Sequence, residues 1–132
     1  MIVSGVLIVI AAIHLLWALG YWWPIRDETQ LARAVVGTRD ITRMPGAVAT
    51  SLVVVALLFA AAWPWLPDSP LKGPGLFLIA VVFQLRALAA YAPFWKRLSP
   101  EQPFRRLDET YYGPLCIVLG MIFMVLAGQA MA

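Results

Sequence analysis

One cysteine, one histidine and seven acidic residues among 132 leave little material for several kinds of chemistry. A lone Cys116 forms no intrachain disulfide, nor does it supply the dithiol that disulfide-generating or quinone-reducing membrane enzymes need. A lone His14 cannot hold a bis-histidine haem, although a single axial ligand stays open. The histidine or carboxylate clusters required for metal-dependent lipid desaturation are missing. No Asp or Glu lies in the core of a long apolar stretch, which argues against proton-coupled small multidrug transport, a process that depends on an acid inside a span. Charge is scarce throughout, at 13% of residues against 62% hydrophobic. Soluble domains carry about a quarter charged residues, so the composition is that of an integral membrane protein.

Four apolar stretches stand out, at 2–23, 47–65, 74–91 and 111–131. Each approaches the ~20 residues that carry a helix across ~30 Å of hydrocarbon at 1.5 Å per residue. The expected fold class is therefore all-α, a four-helix membrane bundle forming a single transmembrane domain over 1–132. The first stretch lacks a basic n-region, is too long for an h-region and runs into aromatics instead of small residues, so it reads as a retained helix and not a signal peptide.

Basic residues fix an expected orientation. Arg26, Arg33, Arg39 and Arg43 fall between the first two stretches, and Lys96, Arg97, Arg105 and Arg106 between the last two. Only Lys72 lies between the second and third. Four spans put both basic loops on one side, and the positive-inside rule makes that side cytoplasmic, with both termini outside the cytoplasm of an inner-membrane protein. Because the positive charge follows topology, nucleic acid is not an expected partner; membrane lipids are. Tyr21, Trp22, Trp23, Trp63, Trp65 and Trp95 sit near the ends of spans, where amphipathic rings favour the headgroup zone.

Both basic loops promise local structure. Asp27 is placed to cap a short helix from Glu28 to Val36 that ends at Gly37, with Leu31, Ala34 and Val35 as an apolar side lying on the membrane surface. Pro100 and Pro103 predict a tight turn through 99–108, with Asp108 and Glu109 in the first turn of the last helix, where negative charge offsets the dipole.

Arg86 is the charged residue within a span, and a mid-membrane arginine costs roughly 2.5–3.5 kcal/mol on insertion scales. Depth reckoned at 1.5 Å per residue sets Arg86 about 8 Å and His14 roughly 13 Å from the cytoplasmic ends of their spans. Thr50, Ser51 and Cys116 fall in the same half of the bilayer. Ile10, His14, Trp17 and Tyr21 share a helix face by their i, i+4, i+7, i+11 spacing, whereas Gln84 points away from the Arg86 face. These positions predict a pocket open to the cytoplasm and lined by His14, Trp17, Arg86, Tyr91 and Cys116. Plainer readings stand beside it: Arg86 snorkelling to phosphates, His14 bonded to a backbone carbonyl, Trp17 as packing, Cys116 as an inert small hydrophobe. Gly113 and Gly120, with Ala56 and Ala60, are small enough to let helices approach.

The runs His14-Leu-Leu-Trp17-Ala-Leu-Gly20, Arg86 through Tyr91, Pro103-Phe104-Arg-Arg-Leu107-Asp108, and Tyr112-Gly-Pro114-Leu115-Cys116 with Gly120 give the chain a family likeness. It resembles the uncharacterised bacterial family known as domain of unknown function 3995 along nearly its whole length. Asp108 and the segment around Pro114 are the most specific part. The resemblance implies a small four-span membrane protein and brings no established activity, substrate or cofactor. Tyr21 departs from the pattern, since members often carry a second glycine there.

Three functional classes remain. One is a binding protein for an anionic or carbonyl-bearing amphiphile, with Arg86 as a planar donor and Trp17 and Tyr91 as ring faces. Another is a lipid-modifying enzyme in the same pocket, with His14 as acid or base and Arg86 stabilising negative charge. The last is a small-solute transporter built as a homo-oligomer.

Overall fold

A computed structural model describes residues 2–132, and among these every regular element is helical. Four long helices are α1 (Ile2–Ala18), α3 (Ala47–Ala62, prolonged by a 3-10 turn at Trp63–Trp65), α4 (Lys72–Tyr91) and α7 (Gly113–Met131). Three short ones lie between them: α2 (Glu28–Val35), α5 (Pro93–Leu98) and α6 (Phe104–Leu107). A π-helical turn, Asp108–Tyr112, joins α6 to α7, so the last apolar helix runs unbroken from Phe104 to Met131.

Three helical segments, Ala47–Trp65, Lys72–Tyr91 and Phe104–Met131, are long and apolar enough to cross a membrane. The fourth apolar helix, α1, has 17 residues, or about 25 Å at 1.5 Å per residue. Leu52, Val55, Leu78, Val82, Leu85, Leu88, Met121 and Val125 all face outward. Apolar surface on this scale is costly in water and suits hydrocarbon, and with helix length and composition it marks a membrane protein.

The helices pack as two close pairs, α1 with α3 and α4 with α7. All four contribute to one buried cluster, including Leu7, Ala60, Ala61, Leu76, Ala80, Leu119, Phe123 and Ala127. Lipid tails are as apolar as leucine, so association of such helices rests on close van der Waals packing and interhelical hydrogen bonds. Both are present. Gly120 lets α7 lie against the Gln84 side chain of α4, and Phe83 stacks on Phe123 with centroids 5.9 Å apart. On the other pair, the Ser4 hydroxyl donates to the Ala61 carbonyl at 2.8 Å and accepts from the Trp65 indole at 2.9 Å.

The first helix ends five residues before the apolar stretch does. Gly20, at φ +85°, closes it: the Gly20 N–H donates to Trp17 O and the Tyr21 N–H to Leu16 O, the paired bonds of a Schellman motif. Trp22 and Trp23 then fold back, and the Trp17 indole donates to Trp23 O at 2.7 Å. The expected cap of α2 is present, with the Asp27 carboxylate accepting from the Gln30 N–H at 3.1 Å. Its apolar side, however, packs on protein. Leu31 and Ala34 are buried, Leu31 within a cluster that includes Trp17, Trp22, Ile25 and Met44. The return of the chain through Trp22–Ile25 supplies a protein surface there, so α2 roofs the end of the helices that bears the basic loops.

The 99–108 region also differs from expectation. The last helix begins at Phe104, so Asp108 and Glu109 lie beyond its first turn. Glu101 fastens the preceding loop: its N–H donates to Gly37 O at 3.0 Å, and its carboxylate accepts from the Asp40 N–H and from Arg33.

Candidate functional site

Two neighbouring features account for most of the residues singled out in the sequence. The first is a polar knot where α4, α5, α6 and the π turn meet. Asp108 is completely buried, and its two oxygens accept from three side chains. Arg86 Nη2 donates to Oδ1 at 2.8 Å, while Trp95 Nε1 at 3.2 Å and Arg105 Nη2 at 3.1 Å donate to Oδ2. Arg105 also donates to Ala90 O at 2.6 Å and Ser99 O at 3.3 Å, tying the end of α4 to the loop after α5. Glu109 extends the knot through Lys96 at 3.0 Å, and its oxygen lies 3.7 Å from Arg105 Nε. A buried carboxylate is tolerable only when paired and hydrogen-bonded, and Asp108 is both.

Arg86 therefore neither snorkels alone nor waits unpaired for an anion. Its guanidinium is held by Asp108 and lies over the Trp95 ring, 5.2 Å from the centroid. Its Nη1 is buried without a hydrogen-bond partner, and the ring face provides a favourable electrostatic neighbour in its place. Sequence reasoning missed Asp108, Trp95 and Arg105 as partners. The available signal was that an intramembrane arginine calls for an acid, and Asp108 is among the nearest acids to the mouth of the last span.

Tyr91 and Pro114 belong to the same seam. In the π turn the Gly113 N–H donates to Asp108 O, five residues back. The next donor in that register would be Pro114, which has no N–H, and its acceptor would be Glu109 O. The Tyr91 hydroxyl donates to Glu109 O instead, at 2.9 Å. Gly113 is required by the same contact, since a Cβ there would lie 2.9 Å from Asp108 O and 3.0 Å from the Ala90 side chain.

The second feature is a half-open cavity of about 440 Å³ bounded by α1, α2 and the α6–α7 helix. Ile10, Ile13, His14 and Trp17 form one wall, Leu31, Ala34 and Val35 the roof, and Leu107, Tyr112 and Leu115 the far side. The volume falls within the range of about 300–1,000 Å³ typical of small-molecule sites. A smaller cavity of about 220 Å³ lies on the other side of His14 and Trp17, toward Met44, Thr50 and Val53. The two rings, 4.8 Å apart, form a partition between the two spaces. Arg86, Tyr91 and Cys116 are absent from both sets of walls. The expected common recess of His14 and Arg86 is thus divided: Arg86 turns to Asp108 at the α4–α7 seam, while His14 faces the space under α2. Cys116 is a free, half-buried thiol on α7.

His14 is oriented by its own helix. Nδ1 lies 2.8 Å from Ile10 O, and because a carbonyl can only accept, Nδ1 carries the proton. In the neutral ring Nε2 is then an acceptor; it makes no hydrogen bond among the described residues and is not fully buried. Tyr112, which sequence reasoning quoted only within a family motif, bridges the two features. It stands in the π turn with Asp108, lines the cavity, and donates its hydroxyl proton to Ala34 O at 3.0 Å.

The family model described as "Protein of unknown function (DUF3995)" matches residues 7–123, and the chain belongs to that family. No curated protein and no solved structure matches it.

Proposed function

We propose that this member of the family is a four-span protein of the inner membrane that binds a small amphiphile in the cavity between α1, α2 and α7. The observation that carries the reading is the cavity itself: ligand-sized, mostly apolar, and furnished with an imidazole acceptor that the fold leaves free. Here one nitrogen fixes the ring and the other is left available.

The crossing of α1 is supported by its apolar sequence and its length of about 25 Å, which a slight thinning of the bilayer accommodates. The distribution of Arg and Lys supports cytoplasmic placement of α2, α5 and both basic loops. The cavity would then open near the inner headgroup layer, within reach of molecules that partition into that leaflet. Arg86 takes no part in binding on this reading and instead holds the far wall in place through Asp108.

The test is occlusion. Leu115→Trp introduces a bulky ring from the far wall, and native mass spectrometry of protein extracted from membranes reads the adducts that survive. Wild-type protein is expected to retain a small apolar adduct that the variant loses. Equal adducts on both folded proteins would count against the cavity as a binding site. An enzymatic role is supported by the same free Nε2, which is oriented as a general base. It predicts that a folded His14→Leu variant alters the membrane lipid profile, and an unaltered profile would remove it.

A further inference from the structure

The polar atoms around the cavity are arranged with a consistent sense. Three partly buried wall residues carry polar side-chain atoms: His14, Trp17 and Tyr112. Each has its donor engaged by backbone. His14 Nδ1 is bonded to Ile10 O, Trp17 Nε1 to Trp23 O and the Tyr112 hydroxyl to Ala34 O. Trp23 also contributes to the wall; it is 53% exposed, and its N–H makes no hydrogen bond among the described residues. What those three residues leave for an occupant is acceptor capacity: Nε2 of His14 and the lone pairs of the Tyr112 oxygen.

We infer that the occupant carries a hydroxyl group on an apolar body, an alcohol or a phenol, whose O–H donates to His14 Nε2. This rests on the cavity being a binding site, and it names the chemistry of the ligand. A ketone, aldehyde or carboxylate would bring acceptors to a wall whose three partly buried donors are all engaged, leaving only the N–H of the exposed Trp23 to meet them. An ammonium would enter a mostly apolar space without a carboxylate, since Asp108 and Glu109 line neither cavity and are already paired. A hydroxyl is the smallest neutral donor, and it leaves the rest of the molecule free to bury apolar surface. On this proposal the occupant is the hydrogen-bonding opposite of the anionic or carbonyl-bearing ligand expected from the sequence.

The experiment compares 4-octylphenol with 4-octylanisole, which have the same ring and tail and differ in whether the oxygen carries a proton. Binding to purified full-length protein in detergent is measured by native mass spectrometry, corrected for partition of each probe into micelles. Wild-type protein is expected to retain the phenol about tenfold more tightly than the ether, the scale of one good hydrogen bond. His14→Leu should bring the two probes within about twofold of each other, and Tyr112→Phe, which removes the second acceptor, should narrow the gap less. Equal binding of both probes by wild-type protein would overturn the hydroxyl assignment and leave the cavity reading standing. Binding of neither would remove the cavity reading, and the assignment with it. A phenol preference undiminished in both variants would overturn the role of these acceptors.

Discussion

The Tyr91 hydroxyl stands where the N–H of Pro114 would have been. It donates at 2.9 Å to Glu109 O, the carbonyl that the π-turn register leaves without a backbone donor because proline has none. A residue at the end of α4 thereby completes the hydrogen bonding of another helix, and α4 and α7 are joined at the position where the backbone changes register.

That relationship predicts coupling. Tyr91→Phe should lower stability by about 1 kcal/mol, the cost of leaving the carbonyl unmet. Pro114→Ala restores a backbone N–H, so in that background the Tyr91 change should cost much less. Thermal unfolding in detergent of the two single variants and the double variant measures the difference. Strict additivity would show that the two residues act separately.

The knot around Asp108 predicts an order of damage. Asp108 is fully buried with three donors, the Arg105 side chain is 10% exposed, and that of Arg86 is 33% exposed. Asp108→Leu leaves Arg86 without its carboxylate and takes from Arg105 the closer of its two, and should cost about 3–5 kcal/mol. Arg105→Met should follow. Arg86→Met should be mildest, because Asp108 keeps Arg105 and Trp95. Unfolding midpoints that place Arg86→Met as the most damaging would contradict this account.

Two glycines in the same loop should behave differently. Gly37 has φ +68°, and a Cβ there would run into the Phe104 ring, so Gly37→Ala should destabilise by at least about 1–2 kcal/mol. Gly46, the N-cap of α3, has φ −60° with open space around it, so Gly46→Ala meets no clash and should cost no more than the few tenths to about 1 kcal/mol of a poorer cap. Parallel melts of the two variants decide the matter, and equal effects would mean that the contact of Gly37 with Phe104 is unimportant.

Orientation is tested with single cysteines in a Cys116→Ala background. Arg43→Cys and Arg97→Cys, both at exposed positions of the basic loops, should react with an impermeant thiol reagent only after the inner face is opened. Asp68→Cys, in the short loop between α3 and α4, should react from outside in intact cells. The reverse pattern would invert the topology.

Much of the architecture was legible along the chain because membrane helices obey a local rule. A segment without water must meet its backbone bonds internally, so about 20 apolar residues in a row are enough to announce a helix. Asp27 and Gly37 marked α2 in the same way, since caps act within a few residues. The boundary at Gly20 was harder to see, because Tyr21, Trp22 and Trp23 are as apolar as the helix before them and only the left-handed backbone of Gly20 separates the two.

Composition and the order of residues thus determined an all-helical, membrane-seated chain with its charge gathered in two loops. Tertiary structure decided where Arg86 and His14 turned. Arg86 looked available for a ligand because its partner lies 22 residues away along the chain and reads, locally, as a helix-starting acid. His14 looked like its neighbour because depth along a helix carries no information about the direction a side chain faces across the bundle. A carboxylate brought from a distant segment settled the first, because a buried charge is tolerable only when packing brings it an opposite one; the carbonyl of Ile10, one turn back in the same helix, settled the second.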